Sequence, residues 1–363
     1  MSEGAGEPKV SIVVINFNGS ENVLRAIDSI LESDYSNYEI VVVDCLTEGL
    51  EDLIRERYGN KVKVVHFDSD IGASASHNVG AAYSSPDAKY LVFMDDDVVV
   101  SRDWLKRLVG VMEKDPRIGV VQAKILSMRD PKRMDHLGLA LDILGTWFTA
   151  YGLPEGMFTR PLEIFAASSA TMITRKDLYV EVGGFDPEYF IYDDDTDYGW
   201  RVRLLGYRVV FCPEAIVWHK GGLVGGLSFI KLYHGYKNRL TNLAKNLSIG
   251  NMLIQVPLTL CFGFLNMLIL AVTARRRELC AYFLATLYFL VNLRRIFLKR
   301  SRVQTTRRIS DSYLFKRGFI RRTIAATIIM FKMLVIEYIR CNPRLRSLYV
   351  KVFGREPRLP GRA

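Results

Sequence analysis

The sequence predicts an α/β domain on a mostly parallel, Rossmann-like sheet, followed by a helical, membrane-associated region. Three observations carry this expectation. Strand-like and helix-like runs alternate through the amino-terminal part, two aspartate clusters stand beside such runs, and a long uncharged stretch precedes a strongly basic carboxy-terminal segment.

Residues 10–15 read Val-Ser-Ile-Val-Val-Ile, a continuous apolar run of buried-strand type. Residues 21–31 read as a helix, 38–44 as a second strand, 49–58 as a second helix and 62–67 as a third strand. This βαβα alternation is the pattern of a parallel sheet with helical crossovers. Residues 89–94, Lys-Tyr-Leu-Val-Phe-Met, add another buried strand. Ligands of such sheets gather at the carboxyl ends of the strands, which singles out Asn16, Asn18, Asp44, Asp70 and the run Asp95, Asp96 and Asp97. Taken alone, Asp44 reads equally as a helix cap or as a nucleotide contact.

The acidic clusters are Asp95-Asp96-Asp97 and Asp193-Asp194-Asp195-Thr196-Asp197. Like charges emerging together at a strand end repel, and burying them without a counter-ion costs several kcal/mol. A divalent cation with a phosphorylated ligand removes that cost. One acidic run is usually a solvated turn; two, at a strand edge and a helix start, point to a metal and nucleotide site.

Charge divides the chain. Residues 1–293 hold 30 Lys/Arg against 36 Asp/Glu, whereas residues 294–363 hold 19 against 3, so the net charge of +10 belongs to the tail. Residues 251–273 form 23 positions without a charge, and a bilayer crossing needs roughly 20. Residues 279–293 form a second uncharged run, with Arg275-Arg276-Arg277-Glu278 at the tip between them. Eleven Lys/Arg between Arg294 and Arg322 outweigh that tip, which places catalytic domain and tail together on the cytoplasmic face of the membrane. Residues 323–339 read as an interfacial amphipathic helix. The expected division is a catalytic domain at 1–245, a transmembrane or re-entrant hairpin at 246–300 and a basic region at 301–363. The basic residues follow apolar spans and form no recognisable nucleic-acid module, so nucleic acid is not an expected partner. The chain opens without an apolar leader, and its five scattered cysteines have no zinc-binding spacing.

Several segments in order carry a resemblance: Val10 to Gly19, Val41-Val42-Val43-Asp44, Asp70-Ile71-Gly72 through Asn78-Val79-Gly80, Phe93-Met94-Asp95-Asp96-Asp97, Gly183-Gly184-Phe185-Asp186, and Asp194 through Val209. Over roughly residues 9–245 the chain resembles the family 2 glycosyltransferases. The resemblance implies a GT-A fold, with one half for a nucleotide-sugar donor and one for the acceptor. It implies that Asp44 contacts the nucleobase, that Asp95 lies near ribose and metal, and that Asp97 and His219 complete the ligands of Mg²⁺ or Mn²⁺. Asn16, Asn18, Asp70, Gly72, Asn78 and Asp96 fall to substrate binding, and Asp195 to general base. Asp194 precedes it where the family usually has Glu. Asp70 stands where Asn is usual, and Cys45-Leu46-Thr47-Glu48 replaces Asn-x-Ser-x-Asp. One base and no covalent nucleophile imply inversion at the anomeric carbon. The expected acceptor is a polyprenyl-linked saccharide or polyprenyl phosphate. The competing readings are a nucleotidyltransferase, which would release pyrophosphate, and an inactive membrane scaffold.

Three further segments leave two readings each. Residues 166–172 are small and fit an acceptor pocket or close strand packing. The glycine-rich run 221–226 fits a lid or a linker. Tyr233 to Arg239 interleaves aromatic and basic residues, fitting interfacial anchors or a seat for lipid phosphate.

Overall fold

The computed structural model describes residues 6–221, 228–341, 346–347 and 350–351. The chain runs β1 (Val10–Phe17), α1 (Glu21–Leu31), β2 (Tyr38–Cys45), α2 (Leu50–Tyr58), β3 (Val62–Phe67), α3 (Ala73–Ala82), β4 (Tyr90–Asp95), β5 (Val98–Val100) and α4 (Trp104–Met112). It continues through β6 (Ile118–Ser127), β7 (Met134–His136), β8 (Gly138–Asp142), β9 (Trp147–Thr149), β10 (Leu162–Glu163), β11 (Thr171–Arg175), α5 (Lys176–Val182), α6 (Asp194–Leu204) and β12 (Arg208–His219).

The main sheet has the order β10-β12-β6-β11-β4-β1-β2-β3. Strands β4, β1, β2 and β3 are mutually parallel, and β11 is inserted antiparallel between β4 and β6. Central strands are apolar throughout because helices cover both faces. On one face α1 packs Val23, Ala26, Ile27 and Ile30 into the core, the i, i+3, i+4, i+7 stripe of an amphipathic helix. On the other, Phe93, Tyr179, Phe185 and Tyr198 form an aromatic cluster with neighbouring ring centroids 5.1–5.9 Å apart.

The carboxy-terminal helices are α7 (Phe229–Asn246), α8 (Ile249–Val272), α9 (Arg276–Val291), α10 (Leu293–Thr306), α11 (Asp311–Lys316) and, after β13 (Ile320–Arg321), α12 (Ala325–Cys341). They share a core with the sheet domain, in which Phe165, Trp200 and Leu204 meet Leu240, Leu243, Tyr282 and Leu314. The chain then returns to the sheet domain: the N–H groups of Arg308 and Ile309 donate to Leu204 O at 2.7 and 3.0 Å, and β13 pairs with β8. Residue 245, the expected domain limit, lies in the last turn of α7.

Helix α8 alone among the described helices is long and apolar enough to cross a membrane, with a mean hydropathy of 2.0. Helices α9 and α10 together pass the same test but bend by 67° at their junction, as a broken span or re-entrant segment does.

A buried ionic network joins the two regions. Lys245 Nζ lies 2.9 Å from Asp197 Oδ1 and 3.0 Å from Asp186 Oδ2, Arg201 lies 2.8 Å from Asp197 Oδ2, and Lys299 lies 2.6 Å from Asp186 Oδ1. Asp197, from the second acidic cluster, and Asp186, from the Gly183-Gly184-Phe185-Asp186 segment, are thus consumed in holding α6 and the loop before it against α7 and α10. Residues 166–172 follow the packing reading at one point: a side chain at Gly199 would collide with Ala166.

Candidate active site

Strand ends assemble the first half of the site. Asp95 closes β4, Asp97 follows it, and His219 closes β12, which β5 pairs so that His219 stands opposite Val98. One ligand atom from each of Asp95, Asp97 and His219 lies within 4.8 Å of the others. His219 Nε2 is 3.0 Å from Asp97 Oδ1 and 3.8 Å from Asp95 Oδ2, and its Nδ1 is 2.7 Å from Asp135 Oδ2.

A carboxylate accepts only, so Asp135 fixes the proton on Nδ1 and leaves Nε2 to face the two aspartates. Burial, then the neighbouring carboxylates, pushes Asp95 up to about 6 and Asp96 up to about 7. Burial works to lower His219, but its hydrogen bonds to Asp135 and Asp97 raise it to about 11. Together these groups behave as an anionic pocket that favours a cation. Two carboxylates and an imidazole suit Mn²⁺, and also Mg²⁺, whose preference is for oxygen. The residues present fit the group that the aspartates imply.

The second half is the start of α6. Asp194 and Asp195 occupy its first turn, where the helix dipole favours negative charge. Ser74 Oγ donates to Asp194 Oδ2 at 3.0 Å, and the N–H groups of Thr196 and Ser169 donate to Asp195. Burial pushes Asp194 up to about 6. Asp195 is raised further, first by burial and then by Asp194 and Asp193. The two halves adjoin: Asp95 adds its repulsion to Asp194, and Asp95 N–H donates to Ala170 O at 3.3 Å, one residue beyond Ser169.

The loop entering α6 is strained. Phe190, Tyr192 and Asp193 have φ of 66°, 67° and 59°, a left-handed conformation that costs non-glycine residues of order 1–3 kcal/mol each. Helix α7 holds it there. Asn238 Nδ2 lies 3.1, 3.0 and 2.7 Å from the carbonyls of Tyr189, Ile191 and Tyr192, and Asn242 Nδ2 lies 3.2 Å from Asp193 O. Asn238 belongs to the 233–239 segment, which the sequence reading gave only anchoring or lipid roles.

The remaining expected substrate contacts divide. Asn18 and Asp70 are exposed at strand ends; Asp70 Oδ1 accepts from Gly72 N–H at 2.8 Å, shaping the turn into α3. Gly72 has φ +81°, and a Cβ there would lie 2.5 Å from the Phe190 ring. Three expected contacts face protein instead. Asn78 donates to Phe185 O and accepts from Tyr179 OH and Phe185 N–H, so its amide clamps α3 to the 183–185 turn. Asn16 Nδ2 donates to Asp44 Oδ1 at 2.5 Å, and Asp44 is wholly buried. Asp135, Ser74 and Asn238 were not singled out by the sequence: Asp135 is a single polar residue without a motif around it, and Ser74 and Asn238 lie inside segments noted there for other residues. The glycine run lies, beyond Gly221, outside the described residues.

Residues 8–223 match the family described as "Glycosyltransferase like family 2". The chain belongs to this glycosyltransferase family. Among curated proteins, the glycosyltransferase is 27% identical over 227 residues to the O-antigen biosynthesis protein RfbC of Myxococcus xanthus, covering 59% of this chain and 17% of that one. It is 26% identical over 224 residues to the pre-mycofactocin glycosyltransferase of Mycobacterium tuberculosis, covering 60% and 43%. The match thus spans less than half the length of these relatives.

Among solved structures, GalNAc-T7 with UDP, GalNAc and Mn²⁺ superposes with a TM-score of 0.54 at 21% identity, covering 66% of this chain and 48% of the other. The mannosyltransferase PcManGT from Pyrobaculum calidifontis, in complex with GDP-Man and Mn²⁺, gives 0.50 at 17% identity, covering 83% and 86%. The glycosyltransferase therefore has the GT-A fold.

Proposed function

We propose that this glycosyltransferase is a metal-dependent, inverting enzyme that moves a sugar from a nucleoside diphosphate sugar to a lipid-linked acceptor. The observation that carries the reading is the juxtaposition of the Asp95, Asp97 and His219 group with the buried Asp194 and Asp195 pair, within a family 2 domain.

Asp95, Asp97 and His219 would hold the divalent cation, which supplies charge neutralisation for the departing diphosphate. Asp195 would take the proton of the acceptor hydroxyl, and its raised proton affinity suits it to that task near neutral pH. Ser74 and the N–H groups of Thr196 and Ser169 orient the acid pair. No side chain is required as covalent nucleophile, hence inversion. Mn²⁺ with UDP and GalNAc in one structural neighbour and with GDP-Man in the other supports the donor side of the reading.

Membrane association is supported by surface chemistry. Leu253, Ile254 and Phe264 of α8 and Phe283, Leu290 and Val291 of α9 are each at least half exposed, the kind of apolar exposure that marks protein or membrane contacts where it is contiguous. Between α7 and α9 runs an apolar groove of about 430 Å³ lined by Phe229, Tyr233, Leu284, Leu287 and Tyr288. Lys237 Nζ lies 4.9 Å from the Tyr288 ring centroid, behind that groove. A polyprenyl chain in the groove would lie on α7, the helix whose Asn238 and Asn242 hold the loop entering α6. The eleven Lys/Arg between Arg294 and Arg322 favour the cytoplasmic face.

The test is to incubate the purified protein with Mn²⁺ or Mg²⁺, UDP-, GDP- and dTDP-sugars and extracted membrane lipids. Nucleoside diphosphate release with a lipid that gains one sugar is expected. Pyrophosphate release would instead identify a nucleotidyltransferase, and sugar on a soluble glycan with unchanged lipid would remove the lipid acceptor.

A further inference from the structure

Helix α8 is long enough to span a bilayer, but its neighbours fix where its middle lies. Its 24 residues measure about 36 Å at ~1.5 Å each, so a spanning α8 would carry Thr259 and Gly263 to near the bilayer centre. In the structure Gly263 packs on the Tyr236 hydroxyl of α7, which donates to Thr259 O at 3.1 Å. One residue earlier, Phe262 meets Phe331 of α12 with ring centroids 6.0 Å apart.

Both partner helices are tied to the sheet domain. Helix α7 packs Leu240 and Leu243 with Phe165 and Trp200 and carries Lys237, Arg239 and Lys245. Thr327 of α12 donates from its N–H and its hydroxyl to the buried Asp142 at 2.8 and 2.7 Å. Sinking the middle of α8 to the bilayer centre would draw α7, with its cations and the loop it holds, into hydrocarbon, where charged side chains are costly. Beyond Gly263 only nine residues remain to Val272, about 14 Å of helix. Helix α9 is back against α7 by Tyr282, whose ring centroid is 4.8 Å from that of Tyr236. The tip of the hairpin therefore reaches at most half of a hydrocarbon core about 30 Å thick.

That tip is basic. Arg275 pairs with Glu278 at 2.6 Å, whereas Arg276 and Arg277, and Arg294 at the start of α10, are exposed and pair with no carboxylate among the described residues. The helix faces are inverted relative to those of a helix in water. Helix α8 buries Gln255, Thr259 and Asn266 and leaves Ile254, Leu258, Leu265 and Val272 45–88% exposed. On α9, Phe283, Leu287 and Leu290 are 44–56% exposed at i, i+4 and i+7, one continuous stripe. Polar groups inside and apolar groups outside are what a helix packed in lipid shows.

We propose that α8 and α9 lie along one leaflet of an anionic membrane, with their apolar faces in the acyl layer and Arg276, Arg277 and Arg294 among the head groups, and that neither helix crosses the bilayer. The uncharged length of α8 then extends an in-plane contact instead of a crossing. The arginine tip stays on the same side as the catalytic domain and the basic tail, so it no longer opposes them in setting sidedness.

The inference rests on the membrane association proposed above, and two measurements separate the two. Val180 on α5 is 71% exposed and reports the sheet domain. In a full-length background of Cys261→Ser, Cys280→Ser and Cys341→Ser, Val180→Cys and Arg277→Cys are made singly. Sealed inside-out and right-side-out vesicles of the expressing cells are then treated with a membrane-impermeant maleimide. Both cysteines should react in the same vesicle orientation. Reaction at 277 from the opposite face, or only after detergent, means a crossing or embedded tip and overturns the proposal while membrane association stands. Purified wild type should also sediment with vesicles of phosphatidylcholine and phosphatidylglycerol, and the double variant Arg276→Gln, Arg277→Gln should bind them about fivefold more weakly for each charge removed. Unchanged binding of the double variant overturns the head-group role of the tip. Wild type that stays in the supernatant overturns the membrane reading itself.

Discussion

His219 bridges Asp135 and Asp97: its Nδ1 lies 2.7 Å from the first carboxylate and its Nε2 3.0 Å from the second. The imidazole orientation at the cation group is thus set by a residue on β7. Asp135→Ala should weaken Mn²⁺ binding by roughly 10–100-fold, the usual cost of removing such a partner. Turnover measured against Mn²⁺ concentration should recover at saturation; an unchanged half-saturating concentration would contradict this arrangement.

Asp97→Ala should abolish turnover and metal-dependent nucleotide binding while leaving the circular dichroism spectrum intact, and EDTA should reproduce the loss in the wild type. Full activity of the variant in the presence of chelator would remove the metal from the mechanism.

Asp195→Asn should slow transfer to a hydroxyl acceptor by roughly 10²–10⁴-fold with donor binding preserved. The acid pair also sets a pH dependence. Burial raises both groups, Asp194 up to about 6, so the basic form is lost as pH falls through a range where an ordinary carboxylate remains ionised. At saturating Mn²⁺ the rate should therefore climb as pH rises through about 6 and above, and Asp194→Asn, by removing a neighbouring negative charge, should move that acid limb to lower pH.

Lys245→Met would leave Asp197 and Asp186 facing each other without their shared cation. Removing one member of a buried ion pair costs about 3–5 kcal/mol. Thermal unfolding should show a correspondingly lower Tm, and a Tm within error of wild type would mean the network carries no stability.

Asn238→Ala should release the strained loop at Phe190, Tyr192 and Asp193. Because misplacement near 1 Å can cost about 10²-fold, kcat should fall by one to two orders of magnitude with donor KM unchanged. A change confined to KM would place Asn238 in donor binding instead.

The strands β1 to β4 were legible because each is a short apolar run, and the strand ends, Asp95, Asp97 and His219, followed from topology and resemblance. Asp135 was not: a single aspartate between Met134 and His136 carries no periodic signal, and only β7 folding against β6 brings it to His219. Asn78, expected among the substrate contacts, shows the same limit: Tyr179 and Phe185, about a hundred residues away in sequence, bond its amide. The second acidic cluster divided likewise, since Asp197 lies on the face of α6 that meets Lys245, Arg201 and Asn246.

Helix α3 and the segment entering α6 touch at three points: Gly72 against Phe190, Ser74 on Asp194, and Asn78 against Gly184, where an added Cβ would lie 2.7 Å from Asn78 Oδ1. These positions cannot drift independently over evolutionary time. A descendant that acquires a side chain at 184 must first give up the amide at 78, and one that enlarges residue 72 must vacate 190. Across a set of descendants the pairs 72 and 190, 74 and 194, and 78 and 184 should be inherited or lost together.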